Sequence, residues 1–248
     1  MDHTTKFDGR AGDYAAGRPT YAEKLIDHLY DRVIPKGATI ADIGSGTGKF
    51  AKHLLDRGSN VFCVEPNDDM RREAESELSR YQGFRSVNGN AEHTTLGDGS
   101  VDIVTTAQAF HWFDTQKFRR ECTRIMRHGG KAVLIWNIRD PEQLINREMQ
   151  SIYTKYCPRF EGFSGGIEKD DIRIKEFFGG RYDYVSFDNP MTYDRDRFIA
   201  RSLSSSYSLK ESDDRYGEYI DALTELFERC AEGGTVSVTY RSAAYIGE

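Results

Sequence analysis

The sequence predicts an α/β fold with a doubly wound, seven-stranded sheet, mostly parallel with an antiparallel last strand, plus a helical cap. Short apolar runs alternate with amphipathic segments between residues 39 and 138, which is typical of parallel strands joined by crossover helices. The first apolar run stops at glycines on alternate positions, Gly44, Gly46 and Gly48. Strand, glycine turn and helix in succession are typical of a small-molecule site at the carboxyl end of a strand.

The elements follow from local patterns. Apolar residues spaced by three and four predict the helices, short apolar runs predict the strands, and glycine or proline marks most boundaries. The predicted strands are 39–44, 60–65, 84–88, 101–107, 131–138, 182–187 and 235–246. The predicted helices lie between Thr20 and Pro35 and at 48–57, 68–80, 114–127, 141–156, 168–178, 194–203 and 213–231. Residues 89–100 are expected to form a loop.

Composition narrows the class of protein. Of 248 residues, 38% are hydrophobic and 30% are charged, which suits a soluble chain with a substantial core. The net charge of −6 argues against a nucleic-acid partner, which usually leaves a basic footprint. No apolar run approaches the roughly 20 residues of a membrane helix, and the polar N-terminus lacks a signal peptide, so we expect a cytoplasmic protein without membrane contact. Four scattered cysteines are expected to be reduced thiols, and no ligand spacing implies a metal.

The glycine turn excludes two common phosphate sites. A P-loop needs Gly-Lys-Ser/Thr, and here Phe50 follows Gly48-Lys49. A dinucleotide fingerprint needs glycine or alanine where Lys49 stands. The second strand nevertheless ends in an acid, Glu65, which could bind both hydroxyls of a ribose. The turn therefore favours a nucleoside ligand without a pyrophosphate.

Four segments resemble one enzyme family. Asp42 to Gly48 resembles motif I of the class I S-adenosylmethionine-dependent methyltransferases, whose fold is Rossmann-like, and Glu65 matches their ribose-binding acid. Residues 89–92, Gly-Asn-Ala-Glu, resemble the loop that brackets adenine, with Asn90 in place of the usual acid. Residues 101–114 and the leader 14–21 are similar to the type-11 small-molecule subgroup, which includes trans-aconitate methyltransferase-like proteins.

The resemblance implies a cofactor, S-adenosyl-L-methionine, a product, S-adenosyl-L-homocysteine, and a set of site residues. The cofactor-binding residues it implies are Asp42, Gly44, Ser45, Gly46, Gly48, Glu65, Pro66, Ala91, Glu92, Gln108 and Phe110. Phe110 to Trp112 are expected at the mouth where the methyl group is transferred, because aromatic faces stabilise a sulfonium cation. His111 is a candidate catalytic base, or else a pocket wall, since transfer to a carboxylate needs no base.

Acceptor residues are expected outside the core. The leader, with Tyr14, Arg18 and Tyr21, is predicted to fold over the cofactor as a lid, and Arg18 is expected near a carboxylate. His111, Trp112 and the arginine of the serine-rich run 201–207, Arg201, complete the candidate acceptor side. The helix of residues 68–80 is expected to be a solvated face.

The sequence thus predicts a single methyltransferase domain over residues 1–248. Residues 1–36 form the lid and first helix, 37–139 the cofactor-binding core, 140–181 a cap insertion and 182–248 the C-terminal strands and helices. The predicted reaction is methyl transfer to a small molecule, including carboxylate-bearing acceptors, by a monomer or homodimer. The alternatives are an RNA or protein methyltransferase, a non-catalytic S-adenosylmethionine-binding regulator and, against the glycine spacing, a nicotinamide oxidoreductase.

Overall fold

The computed structural model describes residues 20–163, 167 and 171–248, and strands and helices alternate through their first half. The strands are β1 (Thr39–Ile43), β2 (Asn60–Val64), β3 (Phe84–Val87), β4 (Val101–Ala107), β5 (Met126–Arg139), β6 (Asp183–Asp188), β7 (Met191–Tyr193), β8 (Val236–Val238) and β9 (Tyr240–Gly247). The helices are α1 (Glu23–Arg32), α2 (Lys49–Asp56), α3 (Asp68–Leu78), α4 (Thr115–Ile125), α5 (Leu144–Tyr156), α6 (Ile172–Phe177), α7 (Arg195–Leu203) and α8 (Tyr216–Cys230). A 3₁₀ turn, Phe110–Trp112, lies between β4 and α4.

The main sheet confirms the predicted fold. Its seven strands run in the order β3-β2-β1-β4-β5-β9-β6. Strands β1 to β5 pair in parallel, whereas β9 is antiparallel to both β5 and β6. The strand order reverses direction at β1, where the connections pass to opposite sides of the sheet. A crevice therefore opens at the carboxyl ends of β1 and β4, where open α/β sheets bind their ligands.

The end of the chain differs from the prediction of one strand over residues 235–246. Strand β8 pairs with β7 in a separate two-stranded sheet, and β9 alone joins the main sheet. A continuous apolar pattern cannot reveal this division, because Val236 and Val238 are about as deeply buried as Ala244 but in a different cluster. The sequence prediction also lacked β7, which has only three residues.

Strand β5 is longer than the predicted 131–138. It begins at Met126, and its pairing with β4 skips from Met126 to Lys131 opposite Val101 and Ile103. Gly129 lies within this bulge at a φ of +78°, a backbone conformation that glycine adopts without steric cost. The glycines that indicated a loop therefore mark a bulge inside a strand.

Three apolar clusters hold the chain together. One covers the face of the sheet under α1 and α2, and a second covers the opposite face under α4 and α6. The third lies among α5, α7, α8 and the small sheet β7-β8, and it contains Met149, Tyr153, Phe198 and Leu223. We call this third group the cap cluster, and the helices, small sheet and loops around it the cap. Because it has its own buried core, the cap can hold side chains rigidly at the open end of the sheet.

A buried polar network ties the start of the described chain to the sheet. The carbonyl oxygen of Thr20 accepts hydrogen bonds from the side chains of Asn137 (3.0 Å) and Asn189 (2.7 Å). Ser242 donates to the Oδ1 atom of Asn137 (2.5 Å) and accepts from the backbone N–H of Ala22 (2.9 Å). These contacts hold residues 20–22 beside the carboxyl ends of the central strands. Within the described ranges, no helix combines the length and apolar character needed to cross a membrane.

Candidate active site

A cavity of about 240 Å³ lies between the carboxyl ends of the central strands and the cap. Its sheet side comes from the turn after β1, from the segment after β4 and from the end of β5. Its cap side comes from the loop after α5, from Arg173, from the end of α7 with the loop after it, and from the paired ends of β5 and β9, Arg139 and Tyr240. The lining on the sheet side includes Tyr21, Asp42, Gly44, Ser45, Thr47, Gln108, His111, Trp112 and Asn137. The lining on the cap side includes Arg139, Arg159, Glu161, Phe163, Arg201, Ser205, Tyr207 and Tyr240.

The glycine turn uses each of its glycines differently. All of them have positive φ, at +66° for Gly44, +55° for Gly46 and +79° for Gly48. A Cβ atom on Gly44 would lie 2.7 Å from the Cβ of Ala109, and one on Gly48 would collide with Leu78. A Cβ on Gly46 would meet no described residue within 4 Å. Gly44 and Gly48 are thus required by packing, whereas the space beside Gly46 is open for a ligand to approach the backbone.

Asp42 is a buried acid at the end of β1, with only 1% of its surface exposed. Its Oδ1 atom accepts a hydrogen bond from the hydroxyl of Thr105 (2.7 Å), and its Oδ2 atom has no hydrogen-bond partner among the described residues. Burial raises the pKa of this carboxyl from 3.8 to about 7, and the negative charge of Glu65 adds to the rise. A cationic group of a ligand would reverse this effect by supplying the missing partner.

Glu65 ties the end of β2 to the glycine turn. Its Oε2 atom accepts the backbone N–H of Gly46 (2.9 Å) and its Oε1 atom accepts that of Asn67 (2.9 Å). Burial raises the pKa of Glu65, and these two N–H groups partly offset the rise. The carboxylate is therefore oriented before any ligand arrives, beside the open space at Gly46.

Gln108 follows β4 in a strained conformation. Its φ of +61° lies in the left-handed region, which residues other than glycine rarely adopt. Its backbone N–H donates to the carbonyl of Ile135 (2.9 Å), and its side chain lines the cavity opposite the glycine turn. Such strain persists only where the surroundings enforce it, and it concentrates at functional sites.

The aromatic segment after β4 divides between cavity and core. His111 and Trp112 line the cavity, with their ring centroids 4.6 Å apart. Phe110, predicted to lie at the mouth, is only 1% exposed and packs against Phe118, Trp136 and Phe177 in the core instead. The 3₁₀ turn causes this difference, because it directs consecutive side chains in different directions rather than along one face.

The other predicted residues lie at varying distances from this cavity. Tyr21 lines it, whereas Tyr14 and Arg18 lie outside the described residues. Ala91 is buried, and Glu92 accepts the backbone N–H of Asp114 (2.9 Å) at the start of α4. Pro66, Ala91 and Glu92 are not among the described residues that line the cavity, and their role at the cofactor stays a prediction.

The cap side contributes residues that sequence reasoning missed. Arg139 and Tyr240 line the cavity from paired positions of β5 and β9, and Arg201 reaches it from α7. Arg201 was predicted on the acceptor side, but Arg139 and Tyr240 were not. One signal was available: Arg139 is a charged residue at the end of the most apolar run in the chain. Its burial to 6% exposure depends on the cap, which no local pattern reveals.

The residues at the sheet side fit the S-adenosylmethionine that the sequence resemblance implies. The fit depends on two observations. The Oδ2 atom of Asp42 is buried without a hydrogen-bond partner among the residues that the structure describes, and it could pair with a ligand ammonium group. The open space at Gly46 lies beside Glu65, which could accept hydroxyl hydrogens. Within the described ranges, no group of three or more His, Cys, Asp or Glu side chains is arranged to hold a metal ion.

Comparisons with known proteins agree with this geometry. A family model described as a methyltransferase domain, Methyltransf_11, matches residues 41–134. An uncharacterized methyltransferase of Mycobacterium tuberculosis is 36% identical over 178 residues, covering 71% of this chain and 67% of the relative. A malonyl-[acyl-carrier protein] O-methyltransferase of Geobacter sulfurreducens is 31% identical over 120 residues, covering 47% of this chain and 45% of the relative.

Solved structures extend the similarity of fold to nearly the whole chain. A protein assigned as a type II methyltransferase from Anaeromyxobacter dehalogenans superposes with a TM-score of 0.65 and 23% identity, covering 93% of this chain and 97% of the other. At this identity the likeness concerns the fold alone. It includes the cap as well as the sheet, since the coverage exceeds the 41–134 core.

Proposed function

The chain belongs to the class I S-adenosylmethionine-dependent methyltransferases, and from this premise we propose that it methylates a small molecule that carries a carboxylate. Its cofactor is S-adenosylmethionine. The match to the type-11 domain model supports assignment to the small-molecule subgroup that the leader and the segment 101–114 resemble. The O-methyltransferase among the relatives supports an oxygen atom as acceptor.

One observation carries the proposal: the cavity is lined at its cap side by cations. Arg139, Arg159 and Arg201 border it together with Arg173, which is paired with Asp171 (2.7 Å), and among the described lining residues Glu161 is the one acid on that side. A volume of about 240 Å³ suits part of a small molecule. A nucleic acid or a folded protein would need an open, extended surface, so a cavity of this volume favours the small acceptor over these macromolecules.

The proposed chemistry requires orientation more than proton transfer. S-adenosylmethionine supplies an electrophilic methyl group on a sulfonium sulfur. With the cofactor bound, transfer to an acceptor carboxylate would form an O–CH3 bond, break the S–CH3 bond and release S-adenosylhomocysteine. It would need no base, provided that the reacting atoms are aligned and water is excluded. We assign orientation of the cofactor to Asp42, the Gly44–Gly48 turn, Glu65 and Gln108. His111 and Trp112 line the cavity, and we assign to His111 the role of a pocket residue.

The test is turnover with a panel of small carboxylic acids. The purified protein is incubated with S-adenosylmethionine and each acid, and S-adenosylhomocysteine and methyl ester are quantified by mass spectrometry. We expect equal amounts of both products for at least one acid and none for the matching primary amide. An amide methylated as well as its acid would contradict a carboxylate acceptor.

Two alternatives give different results in the same assay. A non-catalytic regulator would bind S-adenosylhomocysteine in calorimetry yet release no product with any acid. An RNA or protein methyltransferase would incorporate radiolabelled methyl groups into total RNA or denatured protein and not into the acids. Either pattern would overturn the proposal.

A further inference from the structure

We propose that Arg139 and Arg201 together form a binding site for one oxyanion group, a carboxylate or a phosphate, carried by the methyl acceptor. This inference rests on the proposed function, because it takes the cap side of the cavity to be the acceptor's side. The inference goes beyond the proposed function in two ways. It names the two residues that bind one anionic group of the acceptor, and it allows that group to be a phosphate.

In the described part of the chain, both arginines are buried without a counter-charge. Each retains only 6% of its surface exposed. Among residues 20–163, 167 and 171–248, no aspartate or glutamate forms an ion pair with either guanidinium. By contrast, most of the other arginines that form ion pairs with carboxylates lie at exposed positions. A buried charge without a partner is strongly unfavourable, so a fold that keeps two of them needs a compensating anion.

Their hydrogen bonds are incomplete in a way that leaves donors for a ligand. Arg139 donates through Nη1 to Asn146 (3.4 Å) and contacts the sulfur of Met149 (3.0 Å), while its Nη2 atom is buried without a partner in the described part of the chain. Arg201 donates through Nη1 to Ser205 (3.3 Å), and its Nε atom is likewise buried without a described partner. Buried polar groups are almost always satisfied, so each of these nitrogens calls for an acceptor.

The two guanidinium groups converge on Tyr240. The Cζ atom of Arg139 lies 5.3 Å from the centroid of the Tyr240 ring and 4.3 Å from that of Phe163. Burial raises the pKa of the Tyr240 phenol, but the positive charges of Arg139 and Arg201 outweigh it, so the net shift is downward. Both arginines and Tyr240 line the same cavity as Asp42. The two cations therefore act on one volume, which a single anionic group can occupy.

The donor geometry specifies the class of ligand. Guanidinium groups present planar pairs of N–H donors that match the paired oxygens of carboxylates and phosphates. Aromatic rings on both sides of Arg139 hold its plane in place, which reduces the entropy lost on binding. A neutral amide of the same size would leave two buried charges uncompensated, so it should be rejected.

The experiment measures anion binding without requiring turnover. Succinate and inorganic phosphate are titrated at constant ionic strength into the protein, with and without saturating S-adenosylhomocysteine, and the thermal midpoint is followed because a ligand of the folded state raises it. Succinamide serves as the neutral control ligand. The variants are Arg139→Met and Arg201→Met, and Arg195→Gln is the matched control, because this exposed arginine of α7 pairs with Asp196 away from the cavity.

We expect both anions to raise the midpoint of the wild type and of Arg195→Gln, and succinamide to raise neither. Each methionine variant should bind the anions at least roughly 30-fold more weakly. Its midpoint without anion should equal or exceed that of the wild type, because an uncompensated buried charge has been removed. Arg139→Lys and Arg201→Lys retain the charge, lose the planar fork and should also bind more weakly.

Three results would overturn the site: no anion effect on the wild type, equal effects of succinate and succinamide, or anion binding unchanged in the variants. A lower midpoint of both methionine variants without anion would assign the arginines a purely structural role. Tighter binding of phosphate than of succinate would favour a phosphorylated acceptor, and the reverse a carboxylate. Failure to bind S-adenosylhomocysteine would instead contradict the proposed function, and the anion titrations without it would still decide the subsite.

Discussion

The two ends of the cavity carry buried side chains of opposite charge. The cofactor end presents two buried carboxylates, Asp42 and Glu65, against a turn of backbone N–H groups. The cap end presents two buried guanidinium groups among tyrosine rings. A sulfonium cofactor with an ammonium group suits the first end, and an anionic acceptor suits the second. We therefore propose that charge directs the two ligands to opposite ends of one cavity.

The two ends also differ in how much of the chain they use. The cofactor end comes mainly from one continuous stretch, Thr39 to Gly48, with Glu65 from the next strand. The cap end joins Arg139, Arg201 and Tyr240, which are far apart in sequence and meet only through pairing of β5 with β9 and packing of α7. A substitution at either end should therefore affect one ligand and spare the other.

The largest effect is expected from Asp42→Asn. Removing the carboxylate deprives a ligand ammonium group of its partner, so the affinity for S-adenosylhomocysteine should fall roughly 30- to 1000-fold in calorimetry. Asp27→Asn is the control, because Asp27 is an exposed acid paired with Arg57. An unchanged affinity would remove Asp42 from the cofactor end.

The same substitution should change the pH dependence of stability. The pKa of Asp42 is raised from 3.8 to about 7 in the folded protein by burial, so the folded state retains a proton that the unfolded chain releases. The resulting stabilisation is complete below about pH 4 and is lost as the pH rises through 7. Without ligand, the thermal midpoint of the wild type should therefore fall between pH 5 and 8 by more than that of Asp42→Asn. An equal fall in both proteins would contradict the shifted pKa.

Gly46→Ala should have the next largest effect on the cofactor. Gly46 and Gly37 both have positive φ, and a Cβ on either would meet no described residue within 4 Å. Alanine at each position should therefore cost about 1 to 2 kcal/mol of stability, from backbone strain alone. Only Gly46→Ala should also weaken the binding of S-adenosylhomocysteine, by roughly 10-fold or more, because the methyl group of the new alanine fills the space beside the turn. Equal affinities in the two variants would show that the cofactor does not approach Gly46.

At the cap end, Tyr240→Phe should raise the KM for the acceptor roughly fivefold, which corresponds to the loss of one hydrogen bond. The affinity for S-adenosylhomocysteine should stay unchanged. Tyr30→Phe is the control, because Tyr30 donates a hydrogen bond to Leu54 far from the cavity. A loss of cofactor affinity in Tyr240→Phe would contradict the assignment of the cofactor and the acceptor to separate ends of the cavity.

The smallest effect is expected from His111→Gln. If the acceptor is a carboxylate, no base is needed, and kcat should change less than about fivefold with the shape of its pH profile preserved. A phenylalanine variant of Trp112 provides a comparison, since it changes the neighbouring wall without touching a titratable group. If the pH profile of kcat lost its limb near neutral pH in His111→Gln but not in the Trp112 variant, the histidine would have a catalytic role.

The local sequence pattern was sufficient for much of the fold, and it predicts the residues of the cofactor end. The alternation of strands and helices is encoded by periodicity, and the sheet order confirmed it. Asp42, the glycine turn and Glu65 were predictable because strand ends and their turns lie next to one another in the chain. Phe110 was predicted at the mouth and lies in the core, since the direction of a side chain in a 3₁₀ turn depends on the packing around it.

The sequence by itself therefore determined the seven-stranded sheet, the family and the residues predicted for the cofactor. Only the tertiary structure decided that the final apolar run serves two sheets and that Arg139 joins Arg201 and Tyr240. The physical reason is how far apart in the chain the residues that form each feature lie. A glycine turn follows from backbone conformation within a few residues, whereas a buried charged pair exists only where distant segments exclude water together.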